Sequence, residues 1–184
     1  MKKHTMNYLN KLYSYLLLSL ISILFVNAHL ATIKQDIDWP QFMSQQDMIW
    51  EKLPEYWYDS AFLGNGKLGL MIYKEPGKNY LRLETGNCDV HDHRTKRDVF
   101  GIPRLLTGHF ALHPKGKIIN GTMHLDLWNA EVSTDITTTK GVIHLRSFVH
   151  ADEMMIIVKA TTEGDEHDFQ WEWIAAEANS CLLY

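Results

Sequence analysis

Apolar and polar residues alternate along most of the chain after residue 67, with the two-residue period of strands that have one buried and one solvated face. The segment 167–175 is the clearest case, since aromatic residues fall on one face and polar residues on the other: Phe169, Trp171 and Trp173 against Asp168, Gln170 and Glu172. Aromatic residues at alternating strand positions usually pack in a core. We therefore predict that Trp171 and Trp173 are buried.

Turn sequences with glycine and proline separate the alternating segments, which is typical of antiparallel sheets. Strands are predicted at 67–73, 79–85, 109–113, 122–126, 131–137, 142–150, 154–162 and 167–175. The turn at 75–78 joins the first two as a hairpin, because proline fixes φ and glycine accepts the left-handed region. Helical periodicity at 41–52 is weak and supports only a turn or two. The pattern predicts an all-β fold, an antiparallel β-sandwich that occupies residues 39–178 as one domain.

The N-terminus has the pattern of a secretory signal peptide over residues 1–28. Three lysines precede an apolar core at 16–26, and Val26-Asn27-Ala28 supplies small residues for cleavage. We predict a secreted or periplasmic protein with no membrane attachment after cleavage, and an uncleaved anchor is the alternative. Residues 29–38 are predicted to be a flexible segment leading into the domain, and residues 179–184 a frayed or truncated tail.

Charge argues against a nucleic-acid partner. Removal of residues 1–28 takes three lysines and no acid from the 18 basic and 22 acidic residues, so the formal charge changes from −4 to −7. The densest basic run is Arg94-Thr95-Lys96-Arg97, and phosphate neutralisation needs a larger basic face. The sequence also lacks a Gly-x-Ser-x-Gly nucleophile motif and a glycine-rich phosphate loop followed by Lys-Ser/Thr.

The polar segment 89–94 has the highest density of side chains that could bind a ligand or a metal: Asp89, His91, Asp92, His93 and Arg94. In an extended chain both imidazoles lie on the same side as Asp89, which suits zinc or another borderline metal. Zinc usually takes three or four protein ligands, and no second His or Cys pair stands at a suitable spacing, so we assign no metal site. Two interpretations stay open for this loop. It forms the rim of a sugar pocket, or Arg94 pairs with Asp89 or Asp92 in a structural network.

The tight turn Gly64-Asn65-Gly66 is flanked by segments in a characteristic order: Trp39-Pro40, 48–54, 81–94, 106–110 and 125–132. In this order they resemble the N-terminal β-domain of glycoside hydrolase family 95, the α-L-fucosidase family. They resemble more closely a related uncharacterised bacterial domain at the front of putative glycosidases. The similarity covers about residues 36–174. The chain departs from family 95 where Glu84-Thr85-Gly86-Asn87 leads to Asp89 and the His-Asp-His-Arg run, so the resemblance does not imply fucose specificity.

The resemblance implies a sandwich of the super-sandwich kind, incomplete in this chain, and catalytic groups in an (α/α)6 barrel that follows the β-domain. We therefore assign no catalytic residue and no cofactor. We expect a non-catalytic domain that braces the barrel and lines its glycan pocket, with a glycan and that downstream barrel as its partners. The candidate substrate contacts are the polar residues of 89–94, together with Asn65, Trp50 and Trp57, since exposed indole rings stack on pyranose faces.

Two other functions remain open from the sequence. The chain is a free-standing secreted carbohydrate-binding module, or it is a small metal-dependent enzyme built on His91 and His93. Under the first interpretation the chain binds glycans without a partner domain. Cys88 and Cys181 are available for oxidation after export, but the sequence does not decide whether they pair.

Overall fold

The computed structural model describes residues 13–18, 36–92 and 104–177. The chain divides into two compact units, Met1–Asp38 and Trp39–Tyr184. In the first unit residues 13–18 are helical. Across the described ranges, no helix combines the length and the apolar character that crossing a bilayer requires. Most of the predicted signal peptide and leading segment lies outside the described residues, as does the tail at 179–184, so these assignments stay predictions.

The second unit is an antiparallel β-sandwich, as the alternating pattern predicted. Its strands within the described ranges are β1 Met48–Trp50, β2 Ala61–Gly64, β3 Leu68–Lys74, β4 Leu81–Asn87, β5 Gly108–His113, β6 Ile118–Asp126, β7 Glu131–Thr138, β8 Gly141–Val149, β9 Ile156–Gly164 and β10 Gln170–Ala175. Sheet A has the strand order β1-β6-β7-β8-β9, and sheet B has the order β10-β5-β4-β3-β2. A short α-helix at Trp39–Ser44 and a 3₁₀-helix at Trp57–Asp59 accompany the strands.

The core lies between the two sheets, because alternation gives each sheet one apolar face. Sheet B contributes Leu70, Ile72, Leu81, Leu83 and Leu112, and sheet A contributes Met123, Val132, Ile136, Ile143 and Leu145. In β8 Ile143, Leu145 and Val149 are buried and Arg146 is exposed on the opposite face, as predicted. Burial of each such aliphatic side chain contributes about 1.5–3 kcal/mol, so this interface supplies most of the driving force for folding.

Short-range sequence signals located the turns correctly but did not show which sheet each strand enters. The hairpins β3–β4 and β7–β8 are confirmed by their antiparallel registers. The turn at 114–116, in contrast, carries the chain from β5 in sheet B to β6 in sheet A, and β9 and β10 also lie in different sheets. The weak helical periodicity at 41–52 supported only a turn or two of helix, and the helix does end at Ser44, after which Met48–Trp50 pairs with β6 as a strand.

The predicted burial of Trp171 and Trp173 is wrong. Their side chains are 41% and 46% exposed. The register of β10 with β5 does place both on the inner face, opposite Leu112 and Phe110. However, β10 is an edge strand of sheet B, and sheet A ends at β9. The inner face of β10 is therefore only partly covered by the opposite sheet.

Candidate functional site

The Gly64-Asn65-Gly66 turn is held by the amide of Asn65. Its Oδ1 accepts the backbone N–H groups of Lys67 at 3.0 Å and Leu68 at 2.8 Å. Its Nδ2 donates to the carbonyl oxygens of His150 at 2.8 Å and Glu153 at 3.2 Å. The Oδ1 contacts close the turn itself, and the Nδ2 contacts tie it to the β8–β9 connection. The structure thus places the candidate residue Asn65 in a structural role that occupies both ends of its side chain.

Trp50 and Trp57 lie near a surface depression beside β1. The indole Nε1 of Trp50 donates to the carbonyl oxygen of Asp59 at 2.8 Å, and its ring packs partly against the core. Trp57 is 62% exposed in the 3₁₀-helix and meets Tyr58 edge-to-face. Tyr58 also stacks on Tyr56, with ring centroids 5.2 Å apart. The exposed rings of Trp57 and Tyr58 are available for stacking on a sugar, whereas Trp50 is mainly structural.

The polar run 89–94 begins directly after β4. The N–H of Asp89 donates to Asn87 Oδ1 at 2.9 Å, and His91 forms an isolated antiparallel bridge with Arg104. Asp92 is only 4% exposed, so its side chain is buried. The two other candidates of this run, His93 and Arg94, fall outside the described residues.

No group of three His, Cys, Asp or Glu side chains suited to a metal ion occurs in the part of the chain that the structure describes. Cys88 carries a free thiol, whose Sγ lies 3.5 Å from Asp89 Oδ1, and Cys181 lies outside the described residues.

A cavity of about 390 Å³ opens on the outer face of sheet B next to this run. We call it the Phe62 pocket. Its residues come from the ends of β2, β3 and β4 and from the chain just before β5: Phe62, Gly64, Gly66, Lys67, Leu68, Gly69, Gly86, Asn87, Cys88, Arg104, Leu105 and Leu106. It shares no residue with the depression that Trp50 and Tyr58 line. The structure therefore does not bring Trp50 or Trp57 into the same cavity as the candidates near residue 89.

A polar network that the sequence analysis did not find covers the outer face of sheet B at β3 and β4. Tyr73 Oη donates to Glu84 Oε2 at 2.6 Å, and Arg82 Nε donates to the same oxygen at 3.1 Å. Arg82 Nη1 also donates to Glu75 Oε2 at 3.0 Å. Burial and then the Glu84 carboxylate raise the pKa of Tyr73 well above its usual range. The phenol thus stays protonated and serves as a donor, and the network stabilises the hairpin.

His109 lies beside this network, opposite Glu84 in the β4–β5 register. Its side chain is buried, and its Nε2 atom has no hydrogen-bond partner among the residues that the structure describes. Burial and then the charge of Arg82 hold the pKa of His109 below its ordinary value. The ring is therefore neutral at pH 7. The strict alternation of Leu81 and Leu83 with Arg82 and Glu84 is the sequence signal that would have placed this network on the outer face.

An open apolar cleft lies between the sheets where they end at β9 and β10. Two adjoining cavities of about 280 and 380 Å³ share Thr85, Phe110 and Ile156. We call this the β9–β10 cleft, and its lining comprises Leu68, Leu70, Leu83, Thr85, Asn87, Thr107, Phe110, Met154, Ile156, Val158, Trp171 and Trp173. Phe110 and Trp173 are in contact, with ring centroids 4.7 Å apart. Such a contiguous apolar surface is typical of a site covered by further polypeptide.

Comparison of the sequence with models of protein families found no match, and comparison with curated proteins found none either.

Proposed function

We propose that residues 39–177 belong to a non-catalytic β-domain of an exported glycoside hydrolase. The domain packs against a helical (α/α)6 barrel that carries the catalytic groups, and it forms part of the wall of the glycan pocket. The protein acts outside the cytoplasm, after loss of the N-terminal signal peptide. The proposal combines the resemblance of the ordered segments at 36–174 with one structural observation, the β9–β10 cleft.

The β9–β10 cleft supports a packing role because its aromatic residues are too exposed for a finished core. Trp171, Trp173 and Phe110 each keep about two fifths or more of their surface in contact with solvent. Covering such side chains contributes roughly 25 cal/mol for each Å² of apolar surface. A partner module that covers the cleft is therefore strongly favoured. The charged groups of sheet B, in contrast, are largely used within its own polar network.

The test is to produce this chain alone and together with the polypeptide encoded directly after Tyr184, and to measure hydrolysis of aryl glycosides by each preparation. We expect no hydrolysis by the chain alone, hydrolysis by the pair, and co-purification of the two. Trp171→Gln combined with Trp173→Gln should weaken the assembly. Trp128→Gln is the control, since Trp128 is also an exposed tryptophan but lies in the β6–β7 turn outside the cleft.

Turnover by the chain alone that disappears when one carboxylate is neutralised would overturn the proposal. Equal assembly of the double Trp variant and the Trp128 control would also count against it. If the polypeptide encoded after Tyr184 does not assemble with this chain, the result would favour the second candidate function, which is described below.

The second candidate function is a free-standing carbohydrate-binding module. The observation that favours it is the exposed pair Trp57 and Tyr58, since aromatic faces at a protein surface stack on pyranose rings. Glycan binding by the isolated chain that is lost in Trp57→Ala would favour this function.

A further inference from the structure

We propose that the Phe62 pocket binds an acidic sugar residue, a uronic acid or a sulfated pyranose, with the ring against Phe62 and the anionic group between Lys67 and Arg104. The inference rests on the proposed glycan role and deepens it by naming the class of sugar. It concerns a site that opens on the outer face of sheet B. Leu68 and Asn87 line both this pocket and the β9–β10 cleft, whereas Phe62, Gly86, Lys67 and Arg104 line only the pocket.

The pocket exists because side chains are missing from the ends of three neighbouring strands. Gly64, Gly69 and Gly86 stand in register across β2, β3 and β4. A Cβ atom added to Gly86 would meet nothing within 4 Å, so the space above this residue is open. A ligand of pyranose size can therefore approach the backbone of the sheet here, where any larger residue would fill the space.

Phe62 supplies an aromatic surface at the edge of that space. It is 62% exposed, and its ring leans over the glycines of β2 and β3. A Cβ atom built on Gly64 or Gly69 would lie only 3.4 Å or 3.3 Å from a ring carbon. The glycines thus support one side of the ring while the other stays open. An open aromatic face of this kind suits the C–H face of a sugar ring. Leu106, also exposed, adds apolar surface to the same cavity.

Two cationic side chains in the pocket favour a ligand with a negative charge. Lys67 and Arg104 both line it, and neither has a carboxylate partner among the described residues. In a chain with a formal charge of −4, two cations without an ion pair beside one cavity form a local positive site. The guanidinium group of Arg104 can take a carboxylate or sulfate in a bidentate way, and the ammonium group of Lys67 can act as a point charge.

Asn87 completes the chemistry with a polar group at the pocket wall. Its Oδ1 accepts the N–H of Asp89, which fixes the side chain. An apolar ring surface, an anchored amide and two cations form the set that recognises a ring bearing hydroxyls and one anionic substituent. A neutral sugar would use the ring surface but leave both cations unpaired.

The experiment is a titration of the isolated, signal-free chain with galacturonate and glucuronate oligosaccharides and a sulfated galacto-oligosaccharide. The neutral galacto-oligosaccharide of equal length and benzoate are the comparison ligands. Calorimetry measures affinity at two salt concentrations. We expect an acidic oligosaccharide to bind at least about tenfold more tightly than the neutral one, with an affinity that falls as salt rises.

Three variants locate the site. Gly86→Val fills the open space, Phe62→Ala removes the ring, and Lys67→Gln with Arg104→Gln removes the charge. Each should weaken binding of the acidic oligosaccharide by at least about tenfold, and the charge variant should also abolish the salt dependence. Lys78→Gln with Lys159→Gln, at two exposed positions that do not line the pocket, is the charge-matched control and should bind like the parent. Thermal melting verifies that each variant is folded, and Gly86→Ala replaces Gly86→Val if valine unfolds the chain.

Equal affinity for acidic and neutral sugars would overturn the inference, as would binding that Gly86→Val leaves unchanged. Tight binding of benzoate without binding of any acidic sugar would assign the pocket to another ligand class. Complete absence of binding at millimolar concentration would also overturn it. None of these results bears on assembly at the β9–β10 cleft, so the proposed function would stand or fall separately.

Discussion

At the scale of single residues, the burial of an ion pair decides how much the pair contributes to the stability of the fold. Arg82 and Lys74 lie on neighbouring strands and each pairs with glutamate. Arg82 bridges Glu75 and the buried Glu84, whereas Lys74 pairs with the largely exposed Glu55. Removal of Arg82 leaves a buried carboxylate short of its counter-charge, and removal of Lys74 leaves only a solvated one.

We therefore expect Arg82→Met to lower the free energy of unfolding by about 3 kcal/mol, since breaking a buried pair leaves an uncompensated charge. Lys74→Met should change it by less than about 1 kcal/mol, as exposed pairs usually do. Urea unfolding of both variants provides the measurement. Similar losses in the two would show that the Glu84 network is solvated.

His109 and His144 should make the free energy of unfolding depend on pH in opposite directions. The folded protein holds the pKa of His109 below its ordinary value through burial. The unfolded chain thus takes up this proton first, and the contribution of His109 to stability is lost as pH falls below about 6.5. The hydrogen bond to Asp135 raises the pKa of His144. Its contribution is present below about pH 6.5 and is lost as pH rises through the folded pKa.

We predict that His109→Gln loses less stability than the parent when pH is lowered from about 7.5 to about 5, because the variant has no buried imidazole to charge. His144→Gln should lose slightly more stability than the parent over the same pH range. This effect should be smaller than that of His109→Gln because the ring of His144 is more exposed. Denaturant unfolding at several pH values tests both. A His109→Gln curve parallel to the parent would show that His109 titrates normally in the folded state.

At the scale of secondary-structure elements, one buried carboxylate joins three connections of the sandwich. Glu166 lies between β9 and β10 and is fully buried. It accepts the N–H groups of Lys115 at 3.0 Å and Gly116 at 2.7 Å, in the β5–β6 connection. It also accepts the hydroxyl of Thr138 at the β7–β8 turn. A Cβ atom on Gly116 would lie 2.5 Å from Glu166 Oε1, so the turn needs glycine there.

Glu166→Gln should lower the free energy of unfolding by about 3 kcal/mol, because the new amide turns N–H groups toward N–H donors in a buried site. Asp165→Asn is the matched control at the adjacent residue. Asp165 is exposed and pairs with Lys115 at the surface, so the control should lower the free energy of unfolding far less than Glu166→Gln does. Equal effects on chemical denaturation would mean that the three connections are held independently of Glu166.

At the scale of the whole molecule, the sandwich is open where the two sheets end at β9 and β10. The exposed inner residues of β10 face β9 across the cleft. This arrangement leaves an apolar surface that attracts other apolar molecules, a second copy of the chain among them.

We predict that the isolated chain binds a hydrophobic dye such as ANS and associates as its concentration rises. Trp171→Gln with Trp173→Gln should reduce both dye fluorescence and association, with little change in melting temperature, because the two side chains are half-exposed. Fluorescence titration and sedimentation measure these effects, and Trp128→Gln serves as the control. A parent chain that stays monomeric and binds no dye would contradict the prediction.

Although β1 and β2 were not predicted as strands, local sequence determined the strands from β3 onward, the hairpins β3–β4 and β7–β8 and the face to which most of their residues point. These follow from period-two alternation and from proline and glycine turns, which act over a few residues. Only the tertiary structure decided that β5 and β10 belong to one sheet and β6 and β9 to the other, because strand pairing joins distant segments. The same limit explains the error at Trp171 and Trp173. Alternation shows which side of β10 faces inward, but the extent of sheet A decides whether anything covers that side. The Phe62 pocket and the Glu166 contacts likewise depend on segments that meet only in the folded chain.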